Sequence, residues 1–202
     1  MADNWNRDML YADLIDGIQH GVRVSNLTYL TAKKIGLSED LCYEYAVAGM
    51  VHDIGKLKLS SYLYGRNSKA MLIEEMQYMR KHSELGYDIL KEHGFSDVIT
   101  EAVLYHHENY DGSGYPSNLK EEKIPIGARI IKVVDEFVAL ISERPYRSAF
   151  SVDDAVKIMI EEIREFDMRV FLAFFEIIHD EKVLNEVKKR DLVIDFDMED
   201  LL

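Results

Sequence analysis

The sequence HHENYDGSGYP, at residues 106–116, places two adjacent histidines at the end of a predicted helix and follows them with a glycine-rich loop. The loop continues to about Lys123 and is the only segment rich in glycine, proline, asparagine and serine. Loops longer than about 12–15 residues in compact domains usually carry function or are disordered. Adjacent histidines pack poorly at a helix end, so metal coordination and simple burial are equal alternatives for them at this point.

On both sides of this loop, apolar residues recur at helical spacing, and strand-like alternation is absent from the sequence. Only 3 prolines and 11 glycines occur among 202 residues, which leaves long stretches free to be helical. The first predicted helix, from about Asp8 to Ile35, ends before Gly36, where a C-cap glycine is typical. We therefore predict an all-α fold, a single compact bundle of about seven helices.

Serine residues mark the starts of two further helices. Ser38 precedes two acidic residues, as N-caps often do, and Ser151 with Asp154 resembles a capping box. A looser stretch is predicted from Lys56 to Asn67. The other predicted helices run from about Lys69 to His93, from Ser96 to His107, from Pro125 to Ser142, and from Val170 toward Lys189.

The composition excludes several classes of protein. Hydrophobic residues make up 48% of the chain, enough for a sizeable core, and 37 acidic against 24 basic residues give a net charge of −13. Such a surface repels phosphate backbones, which argues against a general binder of long nucleic acids or anionic membranes. The single cysteine, Cys42, cannot form an internal disulfide, and neither a signal-peptide core nor a long apolar run is present. These features predict a soluble, cytoplasmic protein without membrane insertion.

The negative charge is concentrated at the two ends of the chain. Residues 1–16 carry a net charge of −3, and residues 191–202, DLVIDFDMEDLL, carry −5 without any base. We predict one domain over residues 1–190 and a short acidic tail over 191–202, for which we expect a protein partner.

Two pairs of acidic and histidine residues have spacings that suit a metal site. Asp16 and His20 lie four residues apart on one helical face, where they either share a metal or hydrogen-bond to each other. His52 and Asp53 lie at a predicted helix end, where adjacent side chains can bind two neighbouring metal ions. Gly55 is expected to let the chain turn away just after them.

A third carboxylate, Asp135, lies inside the apolar helix that Pro125 opens, where it is costly unless paired or metal-bound. A cap or salt-bridge role is its alternative. The candidate ligands are five imidazoles and three carboxylates: Asp16, His20, His52, Asp53, His82, His106, His107 and Asp135. A set without thiolate suits Fe, Mn or other first-row ions rather than structural zinc, and so many ligands imply two or three ions. Metals about 3.5–4 Å apart recur in enzymes that hydrolyse phosphate esters.

Two segments, HDIGK at 52–56 and HHENYDGSGYP at 106–116, resemble the HD-GYP subfamily of HD-domain phosphohydrolases. The resemblance also includes the segment IGARIIKVVDEFVALISERPYRSAF and covers roughly residues 10–178. The dipeptide His-Asp alone is a weak signal. HDIGK, HHExxDGxGYP and RPYR in this order are a strong one.

The resemblance implies an HD-domain helical bundle with two or three divalent metal ions, Fe or Mn, in its centre. It implies hydrolysis of a cyclic dinucleotide, cyclic di-GMP first and cyclic GMP-AMP second, by a hydroxide held between the metals. All eight candidate ligands match ligand positions of the family except that Asp16 stands where trimetallic members have glutamate. Asp53 corresponds to the carboxylate that bridges two metals. Lys56 is expected to point its ammonium at the phosphate that the hydroxide attacks.

The resemblance also implies substrate contacts in two places. Tyr115 is expected to contact or stack near a guanine, with Gly114 and Pro116 fixing the shape of the loop. Arg144 and Arg147, in RPYR, fall on positions that bind the phosphates of the substrate.

One departure from the family pattern favours an alternative function. Val138 replaces a second acid three residues after Asp135, and an acid there is expected to face the site. The alternative is a catalytically weak or inactive member that binds a cyclic dinucleotide or a protein. A third hypothesis is a hydrolase of nucleotides or other phosphate esters. It is disfavoured by the intact sequence Gly114-Tyr115-Pro116 in the loop after the two histidines, which we call the GYP loop. The oligomeric state is left open, a homodimer included.

Overall fold

The computed structural model describes residues 2–63, 79–143 and 147–183, without the side chains of 2–14 and 60–63. In these ranges the long elements are all α-helices, which confirms the predicted all-α class. They number eight rather than about seven: α1 (Ala2–Lys34), α2 (Glu39–Val51), α3 (Gly55–Leu63), α4 (His82–Glu92), α5 (Asp97–Tyr105), α6 (Ile126–Ile141), α7 (Val152–Glu161) and α8 (Met168–Ile178). None of the described helices is both long and apolar enough to cross a bilayer.

Helix α6 is the centre of the bundle. It packs against α1, α2, α5, α7 and α8, and eight of its 16 residues are buried. The Phe137 ring meets Phe174 of α8 edge-on, with 5.1 Å between ring centroids. A helix that is packed on most sides has little freedom to shift, so the position of Asp135 on α6 is well fixed.

Serine side chains cap three of the other described helices where the sequence predicts that they begin. Ser38, Ser96 and Ser151 each accept a hydrogen bond from the backbone N–H three residues later, at 3.4, 3.3 and 3.1 Å. Asp167 caps α8 and also pairs with Arg129 of α6 at 2.6 Å. This pair is nearly buried and joins the last described helix to the central one.

The predicted loose stretch from Lys56 to Asn67 is wrong over its first part, because α3 occupies Gly55–Leu63. The role expected for Gly55 is also different. A Cβ atom at Gly55 would lie 2.0 Å from the carbonyl oxygen of His82 and 2.8 Å from the amide nitrogen of Gly86. The glycine therefore serves the close approach of α3 to α4 rather than a turn of the chain.

Other helix boundaries differ from expectation by a few residues. Helix α1 begins at Ala2 rather than near Asp8. The expected continuous helix from Lys69 to His93 is wrong at Arg80 and Lys81, which form a turn before α4 begins at His82, and residues 64–78 lie outside the described ranges. Helix α8 ends at Ile178, and the expected continuation toward Lys189 lies largely outside them as well.

The contact at Gly55 generates a stability prediction. Substitution Gly55→Ala is expected to destabilise the protein by about 1–3 kcal/mol or more, because the added methyl group overlaps backbone atoms that cannot rotate away. Thermal and urea unfolding of the variant measure this loss.

The matched control is Gly17→Ala on α1, where a Cβ meets no atom within 4 Å. Because alanine favours helix over glycine, this variant is expected to keep or raise stability by up to about 1 kcal/mol. Equal unfolding midpoints for the two variants would contradict the packing role of Gly55.

Candidate metal centre

Seven of the eight predicted ligands converge in the interior, and most of them come from helix ends. His52 is the C-cap of α2, with Asp53 directly after it, and His106 is the C-cap of α5, with His107 directly after it. The other three stand at the start of α4 (His82), on α1 (His20) and on α6 (Asp135). Segments that are far apart in sequence thus deliver one ligand set.

The ligand atoms form three overlapping groups, in each of which they lie within 4.8 Å of one another. The groups are His82, His106 and His107; His20, His52 and Asp135; and His52, Asp53 and His106. His52 and His106 each belong to two of the groups, so the groups lie side by side. The residues of these groups could hold a metal ion.

Asp53 is placed to join neighbouring positions. Its Oδ2 lies 3.4 Å from His52 Nε2 and its Oδ1 lies 3.4 Å from His82 Nε2. Asp135 Oδ1 lies 2.9 Å from His20 Nε2 and 3.5 Å from His52 Nε2. The two oxygens of Asp53 thus face different histidines, and its bridging role stays a prediction.

Backbone carbonyls orient three of the imidazoles. The Nδ1 atoms of His52, His82 and His106 lie 2.8, 2.7 and 2.6 Å from the carbonyl oxygens of Gly49, Met79 and Val103. A carbonyl only accepts, so each Nδ1 carries a hydrogen, and each Nε2 faces inward and is bare whenever its ring is neutral. Metal-binding histidines typically have such a partner behind them.

The bare Nε2 atoms face one another at short range. His82 Nε2 lies 3.2 Å from His106 Nε2 and 3.1 Å from His107 Nε2. His52 Nε2 and Asp53 Oδ1 are buried side-chain atoms without a hydrogen-bond partner. Converging acceptors of this kind are unfavourable unless a cation lies among them, so the residues fit a metal.

Burial and neighbouring charge set the ionisation of the ligands. Burial, with the adjacent His107 adding to it, holds the pKa of His106 well below its ordinary value, and burial lowers the pKa of His107 to about 3. Burial disfavours the charged form of His52 too, but the Asp53 and Asp135 carboxylates outweigh it and raise its pKa to about 9. The histidines beside Asp135 keep the pKa of its carboxyl low despite burial. Without a metal, the centre therefore combines anionic carboxylates, neutral imidazoles at His106 and His107, and a His52 imidazole that keeps its proton until the pH approaches its pKa of about 9.

Lys56 and the GYP loop form the outer part of the site. Lys56 Nζ lies 2.5 Å from Asp53 Oδ2, and its side chain is about half exposed. The Tyr115 ring stacks on His107, with 4.8 Å between centroids and 23° between planes. A Cβ at Gly114 would lie 2.2 Å from the amide nitrogen of Asn109, so this position requires glycine for close approach.

Several predicted site residues are not brought into the cluster. Asp16 is exposed and belongs to none of the three groups, so its metal role stays a prediction. Arg144 lies outside the described residues. Arg147 donates to the carbonyl oxygens of Ala139 and Leu140 at 2.9 Å each, near the C-terminus of α6. Its predicted phosphate contact therefore competes with a helix-capping role.

Val138 packs in the apolar core. It is fully buried, and its carbonyl accepts a hydrogen bond from Ser142 Oγ at 2.7 Å. Its predicted effect on substrate positioning stays a prediction.

Two residues near the site were not predicted from the sequence. Glu108 is 1% exposed and accepts hydrogen bonds from the loop that carries Tyr115. The sequence signal that could have singled out Glu108 is its position directly after the two histidines. The Arg80 guanidinium lies 5.2 Å from the centroid of the Tyr115 ring, a contact that no local pattern in the sequence indicates.

Comparison with known proteins identifies the relatives of this arrangement. A model of the HD domain family matches residues 4–170. The cyclic di-GMP phosphodiesterase response regulator RpfG of Xanthomonas campestris pv. campestris is 38% identical over 150 residues, which cover 73% of this chain and 39% of that protein. The 3'3'-cGAMP-specific phosphodiesterase 1 of Vibrio cholerae is 34% identical over 170 residues, which cover 81% of this chain and 39% of that protein.

A solved structure shares the fold. The cyclic GMP-AMP specific phosphodiesterase V-cGAP3 of V. cholerae superposes with a TM-score of 0.68 at 18% sequence identity. The match covers 85% of this chain and 46% of that chain. This chain spans about two fifths of the length of the two curated relatives.

The ionisation pattern generates a prediction for the metal-free protein. As the pH is lowered below 6.5, His106 and His107 take up protons in the unfolded state but stay neutral in the folded state. The free energy of unfolding therefore decreases by about 1.4 kcal/mol for each such histidine and each pH unit of acidification. Above pH 6.5, the folded state holds a proton on His52 that the unfolded state has lost, and this stabilisation disappears as the pH rises through about 9. Stability is therefore expected to be highest near pH 6.5.

Chelator-treated protein unfolded at a series of pH values tests this profile. The variant His93→Gln, which changes an exposed histidine at the end of α4, is expected to give the same curve. A profile that stays flat from below pH 6.5 to above pH 9 would contradict the assigned ionisation.

Proposed function

Because the chain belongs to the HD domain family, we propose that it is a metal-dependent phosphodiesterase that hydrolyses a cyclic dinucleotide. Cyclic di-GMP is the first candidate and 3'3'-cGAMP the second, since both occur in the names of relatives that match most of this chain. The observation that carries the proposal is the convergence of bare Nε2 atoms and two carboxylates beneath the GYP loop.

The proposed cofactor is two or three divalent ions, Fe or Mn. The residues that would hold them are His20, His52, Asp53, His82, His106, His107 and Asp135. Divalent ions supply Lewis-acid chemistry and lower the pKa of bound water, as phosphate-ester hydrolysis at neutral pH requires. Fe and Mn are proposed because nitrogen and oxygen donors suit first-row ions.

The chain's own residues would orient the substrate and exclude bulk water. The Asp53 and Asp135 side chains are 28% and 21% exposed, whereas that of His52 is 1% exposed, so the site opens on its carboxylate side. Lys56 stands on this open side and offers a positive charge to a phosphate. Tyr115, over His107, is placed to meet a base of the dinucleotide.

A second candidate function is binding of a cyclic dinucleotide or a protein with weak or absent turnover. It is favoured by the buried Val138 and by Arg147, whose guanidinium is engaged by backbone carbonyls. Binding of cyclic di-GMP without cleavage by metal-loaded protein would establish this function instead. Cleavage of nucleoside phosphates but neither dinucleotide would favour the broader phosphate-ester hydrolase.

Three further proposals concern the whole chain. Residues 1–190 form the functional domain, and residues 191–202, which lie outside the described part, form a tail for a protein partner. A cytoplasmic location fits the single cysteine, Cys42, which is buried and free. The dinucleotide substrate is small, as expected for a chain of net charge −13.

Removal of two central ligands tests the metal-dependent activity. The double variant His52→Ala, Asp53→Ala is expected to lose bound metal and to lower cleavage of cyclic di-GMP by more than about hundredfold. Anaerobic metal analysis and a cleavage assay on the same samples measure both effects. His93→Ala, a matched removal of an exposed histidine, is expected to change neither. Full activity in the double variant would overturn the proposed site.

Removal of the ammonium at Lys56 separates phosphate binding from metal binding. Lys56→Ala is expected to lower kcat/KM about tenfold to hundredfold, the usual value of a charged hydrogen bond, with unchanged metal content. Lys157→Ala, which removes an exposed lysine of α7 that pairs with Asp154, is the control and is expected to keep full activity. A loss of metal in Lys56→Ala would instead indicate a role in holding Asp53.

A further inference from the structure

Glu108 is a buried acidic residue at the start of an otherwise polar and largely accessible loop. It is 1% exposed and follows the ligand His107 directly. A carboxylate removed from water in this way is costly unless its oxygens are satisfied by donors. The residues that satisfy it therefore indicate what it holds in place.

Both oxygens of Glu108 accept hydrogen bonds from the backbone of the loop. The Ser117 N–H donates to Oε1 at 2.6 Å, and the Leu119 N–H donates to Oε2 at 2.9 Å. Glu108 thus fastens residues nine and eleven positions later in the chain to the end of α5.

The fastened segment is the one that carries Tyr115. Just before Ser117, the Tyr115 N–H donates to the His107 carbonyl at 3.1 Å, and the Tyr115 ring stacks on the His107 imidazole. The Asn118 side-chain amide donates to the carbonyl of Gly114, which closes the turn between the two attachment points. Glu108 and His107 therefore hold the two ends of one short loop.

We infer that Glu108 is a positioning residue, which fixes the loop at residues 114–119 and thereby holds Tyr115 in the orientation that receives a base of the substrate. The inference rests on the proposed function, because it assigns Tyr115 to the dinucleotide. It does not require Glu108 to touch the substrate or a metal. Its effect is on recognition of the base, while the chemistry at the metal ligands is unchanged.

The variant Glu108→Gln tests this role with little change in shape. The amide keeps one acceptor oxygen but turns an NH₂ group toward a backbone N–H, so one of the two loop bonds is lost. Amide hydrogen exchange is expected to speed up at Ser117 or Leu119. The KM for cyclic di-GMP is expected to rise roughly tenfold with kcat changed less than about twofold.

Two comparisons distinguish positioning from a general loss of structure. Bis(p-nitrophenyl) phosphate is a diester without a purine, so its hydrolysis by Glu108→Gln is expected to match that of the wild type, with equal metal content. Ser151→Ala, which removes the cap of α7, is the control for mild destabilisation and is expected to leave the KM for cyclic di-GMP unchanged.

A double-mutant cycle with Tyr115→Ala tests whether Glu108 acts through Tyr115. If it does, the variant Glu108→Gln, Tyr115→Ala has the same KM as Tyr115→Ala alone, because the position of a missing ring no longer matters. Additive effects, equal impairment of both diesters, or unchanged amide exchange would overturn the inference. A wild-type chain that cleaves neither dinucleotide overturns the proposed function, and amide exchange then still decides whether Glu108 holds the loop.

Discussion

The hydrogen bond from an imidazole Nδ1 to the carbonyl three residues earlier is the interaction on which the candidate site depends. It recurs at His52, His82 and His106, and it fixes both the tautomer and the direction of each ring. Because the hydrogen is committed to the backbone, the Nε2 lone pairs point inward and approach one another closely. The backbone at three helix ends thus orients imidazoles in the way that metal-binding histidines are typically oriented.

Electrostatics and burial act together in this centre. The packed helix α6 carries Asp135 into the interior, where the histidines beside it stabilise its negative charge. Burial keeps the imidazoles of His106 and His107 neutral, and neighbouring histidines add to this effect. The acidity of the chain does not conflict with a phosphate substrate, because part of it belongs to a site that holds cations and much of the rest lies at the two ends.

Five of the clustered residues, His52, Asp53, His106, His107 and Asp135, could be singled out from local signals: adjacent His-Asp and His-His pairs at helix ends, and one aspartate in an apolar helix. What could not be predicted depends on contacts across the fold. The packing of Gly55 against the carbonyl of His82 and the carbonyl partners of Arg147 are invisible until the neighbouring helices are in place. The all-α class followed from periodicity, whereas α3 was missed because its pattern is short.

The C-cap histidines have a consequence for how such a centre can arise and be moved. At His52 and His106, the ligand and the carbonyl that orients it lie within four consecutive residues at the end of one helix. The direction of each donor atom is therefore encoded in a single turn and does not depend on distant packing. A helix end of this kind is a portable unit. A designer who brings several of them to a common point in another helical bundle inherits correctly oriented donors without redesigning the surrounding core.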